Sequence, residues 1–183
     1  FEVVYGPNST PGSGSDTLAP TIQSFSLNSS SFDPSQPGGA YLSVAIRFSD
    51  NLSGFEEGSV TFRSTSSGQI RTLYWEWGSS SIQGSALAGS LYATECLNSF
   101  TAAGTWVLDS IDLYDKAGNR LYKNSSDSDW STFLSLGDTT QTSFEVVYGP
   151  NSTPGSGSDT LAPTIQSFSL KSSSFDPSQP GGD

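Results

Sequence analysis

The sequence predicts an all-β fold: an antiparallel immunoglobulin-like β-sandwich of about seven to nine strands per repeat. Apolar residues alternate with polar or small ones in short runs, the period of half-buried strands. Between the runs lie turn formers, with 19 Gly, 10 Pro and 38 Ser in 183 residues, a bias that disfavours long helices. Hydrophobic residues make up only 33 % of the chain, yet 11 Phe, 7 Tyr and 4 Trp bring enough area per side chain to build a core.

The elements follow in order. Thr21 to Leu27 puts Ile22, Ser24 and Ser26 on one face and Phe25 and Leu27 on the other. Tyr41 to Phe48 sets Leu42, Val44, Ile46 and Phe48 against polar or small residues. Val60 with Phe62, then Leu73, Trp75 and Trp77, then Leu91 to Leu97 continue the alternation. Trp106 and Leu108 share a face, whereas Ile111 and Leu113 join them only after a one-residue shift, which predicts a bulge near Asp109 or Ser110. Leu121 and Phe144 to Tyr148 supply the last strands. No segment keeps a period of 3.6, although Leu97 to Ala103 has room for a helical turn.

A repeat sets the organisation. Phe1 to Gly39 recurs as Phe144 to Gly182 with one change, Asn28 against Lys171, so the period is 143 residues. Residues 1–5 then read as the last strand of a preceding repeat and residues 6–15 as a linker rich in Pro, Gly and Ser. Residues 16–149 form one complete repeat, 150–158 a second linker, and 159–183 the start of the next repeat. Such arrays act by reach or multivalency, and their first partners are adjacent repeats of the same chain. Because Phe1 to Tyr5 and Phe144 to Tyr148 are equivalent strands, they compete for one slot, and strand exchange with neighbouring copies is expected of the loser.

Composition narrows the function classes. Seven Lys and Arg stand against 18 Asp and Glu, a formal charge of −11, which speaks against nucleic acid or an anionic membrane surface as a partner. No apolar run is long enough to insert into a bilayer. With no His, the chain cannot by itself assemble a Ser-His-Asp or Cys-His nucleophile, and no enzymatic activity is expected. Cys96 has no partner for a disulfide and reads as a small core residue. A Cys-poor, acidic chain rich in Ser and Gly fits a large bacterial extracellular protein.

Three phrases carry a resemblance: Asp16-Thr-Leu-Ala-Pro-Thr21 (again at Asp159 to Thr164), Asp50-Asn-Leu-Ser-Gly54 and Asp115-Lys-Ala-Gly-Asn119. Over roughly residues 16 to 149 the chain resembles the bacterial Ig-like repeats of giant surface adhesins and other very large secreted proteins. The resemblance implies a role in extending a binding tip from the cell surface and in adhesion, often with calcium stiffening the array. Ser125 to Thr142 has no counterpart in it.

In such a sandwich the loops after the second and penultimate strands return to the pole where the chain begins. Asp16, Asp50 and Asp115 should therefore meet there, and converging carboxylates repel unless a hard cation joins them. Calcium, which takes six to eight oxygens, is the expected cofactor, with Asn51, Glu56 and Asn119 as further ligand candidates and Asp159 as the copy of Asp16. The same phrases also suit metal-free turns in which Asp caps local N–H groups.

Gly12-Ser-Gly-Ser-Asp16-Thr-Leu18 is half of a calcium nonapeptide, but one copy cannot stack into a β-roll. Glu56 and Glu57 are adjacent and point apart, unlike a glycosidase pair. Five Asn-x-Ser/Thr sequons, at Asn8, Asn28, Asn51, Asn124 and Asn151, follow from a Ser-rich composition. The leading expectation is a structural spacer or adhesion repeat of an extracellular or cell-surface protein or fibre. The alternative is a repeated carbohydrate-binding module that stacks glycan on Trp75 and Trp77; exposure of those rings would favour it and burial would oppose it.

Overall fold

In the computed structural model, residues 15–135, 138–139, 141–149, 164, 166 and 167 are described. The chain forms β1 (Thr21–Leu27), β2 (Ser31–Phe32), β3 (Ala40–Ser49), β4 (Phe55–Ser64), β5 (Ile70–Glu76) and β6 (Ile82–Ser85). It continues through β7 (Ala88–Leu97), β8 (Gly104–Asp115), β9 (Arg120–Asn124), α1 (Trp130–Leu134), β10 (Asp138–Thr139) and β11 (Ser143–Val146). Two of these strands are two-residue bridges, which is why the strand number exceeds the one expected from apolar runs.

The strands build two sheets, ordered β10-β1-β3-β7-β6 and β2-β11-β8-β4-β5. β11 pairs with the first part of β8 and β9 with its last part, while β4 takes the other edge. All pairings are antiparallel except β1 with β10 and β11 with β2. The sheets face each other across a core that includes Phe25, Leu42, Ile46 and Phe48 from one side and Phe62, Trp75, Trp106 and Leu113 from the other. This is the antiparallel sandwich the alternation predicts.

Register irregularities decide which residues reach that core. On β8, Thr61 faces Ser110 and Phe62 faces Leu108, so Asp109 is the extra residue that brings Ile111 and Leu113 onto the face of Trp106. β1 has a shift between Ile22 and Ser24, and Ile22 packs against the core with Phe25. Its assignment to the face of Ser24 is thus corrected by a bulge at Gln23. Cys96 is also corrected: on β7 it alternates out of phase with the buried Leu97 and is exposed. Asn98 to Ala103 forms a hydrogen-bonded turn, Thr101 N–H donating to the Asn98 carbonyl at 2.9 Å, and not a helical segment. The helix lies instead at Trp130–Leu134, where Trp130, Phe133 and Leu134 pack partly buried against the core. Among the described residues, no helix is long and apolar enough to cross a membrane.

The bulge also places an ion pair. Arg63 Nη2 donates to Asp109 Oδ2 at 2.6 Å, and the Ser125 hydroxyl donates to Asp109 Oδ1 at 2.9 Å. The Arg63 hydrogen bond is the main cause holding the Asp109 carboxyl below its ordinary 3.8. A depressed folded pKa contributes stability that is present above the unfolded value and is lost as pH falls through the folded one. Arg63 is half exposed, so Arg63→Ala should cost under about 1 kcal/mol at neutral pH. Denaturant unfolding should show that difference shrinking well below pH 3.8; a difference that stays constant with pH would contradict the assignment.

The direction of β3 separates two poles. Its last residue leads into the loop with Asp50, and its first pairs with Leu97 beside the turn that holds Tyr148, whose hydroxyl donates to the Thr101 carbonyl at 2.7 Å. The chain therefore begins the unit at one pole and ends it at the other. A strand of 10 residues puts them about 30 Å apart.

Candidate metal centre

Three segments meet at the N-terminal pole, each held by its own turn chemistry. Asp50 follows β3 and its N–H donates to the Leu87 carbonyl at 2.8 Å. Its Oδ1 accepts from the Leu52 and Gly54 N–H groups at 3.1 and 2.6 Å, closing the loop. Gly54 has φ +85, and a Cβ there would lie 2.6 Å from that of Ala86, so only glycine lets the loop pass the turn between β6 and β7.

Asp115 closes β8 and is fully buried. Its Oδ1 accepts from the Ala117 and Asn119 N–H groups at 2.9 and 2.8 Å, and its Oδ2 from Asn119 Nδ2 at 2.7 Å. Asp16 lies on the segment leading into β1. Its Oδ2 accepts from the Ser53 N–H at 2.7 Å, its Oδ1 from the Leu18 N–H at 3.2 Å, and its carbonyl from Asn119 Nδ2 at 3.2 Å.

The two readings of these phrases therefore coexist, since the turns form and the carboxylates also converge. Asp16, Asp50 and Asp115 each offer an oxygen, and the three lie within 4.8 Å of one another. Oxygens on a common hard cation at about 2.3–2.6 Å sit at most about 5 Å apart, so the spacing suits one ion. Among the described residues, Asp50 Oδ2 is buried and accepts no hydrogen bond, and the Ser53 hydroxyl is likewise buried without a partner. Among the described residues, no Lys or Arg pairs with any of the three carboxylates. The Asp16 carboxyl is held below its ordinary value, first by the nearby Ser53 hydroxyl, although that contact falls outside hydrogen-bond geometry. Partial desolvation opposes this, and the Ser53 and Leu18 N–H groups and the Asn51 side chain add to it. An all-oxygen donor set with an unsatisfied buried carboxylate oxygen has the chemistry of a hard divalent cation site.

The remaining candidates divide. Asn51 is exposed beside Asp16. Asn119 bridges Asp16 and Asp115 through its amide N–H groups and so orients carboxylates. Glu56 is exposed where β4 shifts register and lies outside the group of three. Asp159 falls outside the described residues. Ser53 was not singled out from the sequence, although it stands inside the Asp50 to Gly54 phrase that could have pointed to it. Trp75 is 3 % exposed with its ring in the core, and Trp77 is half-buried with Lys116 Nζ 5.0 Å from its ring centre. The burial of Trp75 opposes the carbohydrate alternative at that ring, and Trp77 is intermediate.

Fold and site together define a β-sandwich module with an acidic, oxygen-lined pole at the entry to β1. A family described as "Domain of unknown function (DUF7035)" matches residues 15–148, and the chain belongs to it. No curated protein matches the sequence.

Proposed function

We propose that the unit is a non-enzymatic spacer of a large extracellular or cell-surface protein or fibre with a role in adhesion, and that calcium at its N-terminal pole clamps the incoming linker to the sandwich. The observation that carries this reading is the group of three carboxylates around the unsatisfied Asp50 Oδ2, because one of the three, Asp16, opens the repeat directly after the linker, and the other two, Asp50 and Asp115, follow β3 and close β8. A cation shared among them ties the linker's end to β3 and β8. The opposite placement of the unit's two ends supports end-to-end extension, and the near-identical copies in the sequence support an array.

X-ray scattering on chains of two and three consecutive units tests this. In calcium the radius of gyration should grow almost linearly with the number of units; with chelator, or with Asp50→Asn, it should grow more weakly. Identical scattering with and without calcium would remove the clamp.

A further inference from the structure

The outer face of the six-stranded sheet carries a second arrangement of charge and rings. One cross-strand row reads Glu76, Glu57, Tyr114, Arg120 from β5 to β9. The next reads Tyr74, Ser59, Asp112, Tyr122. Ser59 is small and stands between Tyr74 and Asp112, so the face opens there into a trough of about 530 Å³. That lies within the range of about 300–1,000 Å³ usual for ligand sites.

At the β8–β9 side the chemistry is complete. Arg120 Nε and Nη2 donate to Asp112 Oδ1 and Oδ2, both at 2.8 Å, and the guanidinium lies 5.3 and 4.5 Å from the ring centres of Tyr114 and Tyr122. At the β4–β5 side the same elements stand without the cation. Tyr74 is 73 % exposed, and Glu57 and Glu76 face each other directly across the strands, with no hydrogen bond or ion pair to either carboxylate among the described residues. Like charges in directly opposed positions destabilise a sheet, so this pair weakens the free fold.

We propose that the trough takes a lysine or arginine side chain presented by a partner protein, its cation between Glu57 and Glu76 and its stem along the Tyr74 ring. Arg120 on Asp112 between two tyrosines is the same recognition already made within the chain. The charge of −11 makes a second copy of this chain an unsuitable partner and a basic segment a suitable one. Asp16, Asp50 and Asp115 are not among the residues that line the trough, so the proposal stands apart from the calcium clamp.

The test is an NMR titration of the whole chain, in chelator, with an acetylated and amidated arginine tripeptide, its citrulline analogue and maltotriose. The arginine peptide should shift the Tyr74 and Ser59 resonances, and its affinity should fall at least about fivefold between 0.05 and 0.5 M salt. Glu57→Gln with Glu76→Gln should abolish the shifts while raising the melting temperature, which shows that the variant folds. Equal shifts from citrulline peptide or maltotriose, binding that survives the double substitution, or no shift with the arginine peptide would each overturn the proposal.

Discussion

Calcium at a hundredfold excess over its dissociation constant is expected to stabilise the unit by about 2.7 kcal/mol and to raise its melting temperature by on the order of 10 °C. The gain comes from a site that exists only when Asp16, Asp50 and Asp115 are brought within 4.8 Å of one another by folding, since the unfolded chain holds them far apart. Asp50→Asn should abolish the rise. It keeps an Oδ1 acceptor for the Leu52 and Gly54 N–H groups, so the loop is retained, but it replaces the buried unpartnered Oδ2 with an amide N–H. Asp115→Ala is a poorer probe because it strips the acceptor from the Ala117 and Asn119 N–H groups and weakens the fold whether or not metal binds. Scanning calorimetry in chelator and in calcium, on parent and variant, reads both effects. Superimposable parent curves would count against the site.

Phe144→Ala should be the most damaging single truncation among the aromatics, at about 3–5 kcal/mol. The Phe144 ring is 1 % exposed and stacks on Trp106 at 5.9 Å with 7° between planes. It also meets Phe62 and Phe32 edge-on, each at 5.3 Å between ring centres. It therefore joins β11 to β8, β4 and β2, and β11 has only four residues with which to hold its place. Removing the ring leaves a cavity bordered by other large rings that cannot close over it. Urea unfolding followed by tryptophan fluorescence measures the loss; a cost below about 1 kcal/mol would mean that the ring cluster is not the keystone described.

Strand phase was the most readable feature of the sequence, because a sandwich buries every second residue and the buried ones here are large. The bulge at Asp109 was visible as a change of parity between Leu108 and Ile111. The same change between Ile22 and Phe25 marks the bulge at Gln23, but in a seven-residue strand it is easily taken for a polar and an apolar face. α1 shows the spacing Trp130, Phe133, Leu134, one turn of a helical stripe, yet five residues are too few for periodicity to stand out from loop. Cys96 misled because it stands in a strand next to the core residue Leu97, whereas the parity of the strand turns it to the opposite, outer face.

The meeting of Asp16, Asp50 and Asp115 was readable because strand directions alternate between the poles of a sandwich, although Asp115 follows β8, with β9, β10 and β11 still to come, and not the penultimate strand. The division of labour within the site was not. Whether an Asn presents its oxygen or its N–H groups depends on partners more than a hundred residues away in sequence, as Asn119 does with Asp16. Tyr74, Glu57 and Glu76 were equally hidden, since a trough depends on which residues lie opposite one another across β4 and β5, and register follows from turns and bulges.

The most direct measurement of the central claim is a crystal structure of the complete unit grown at saturating calcium, with anomalous scattering used to locate the ion. One calcium is expected between Asp16, Asp50 and Asp115, within about 2.3–2.6 Å of an oxygen from each, with Asp50 Oδ2 among its ligands. Carboxylates that converge around no ion at that concentration, or calcium bound only elsewhere on the acidic surface, would contradict it.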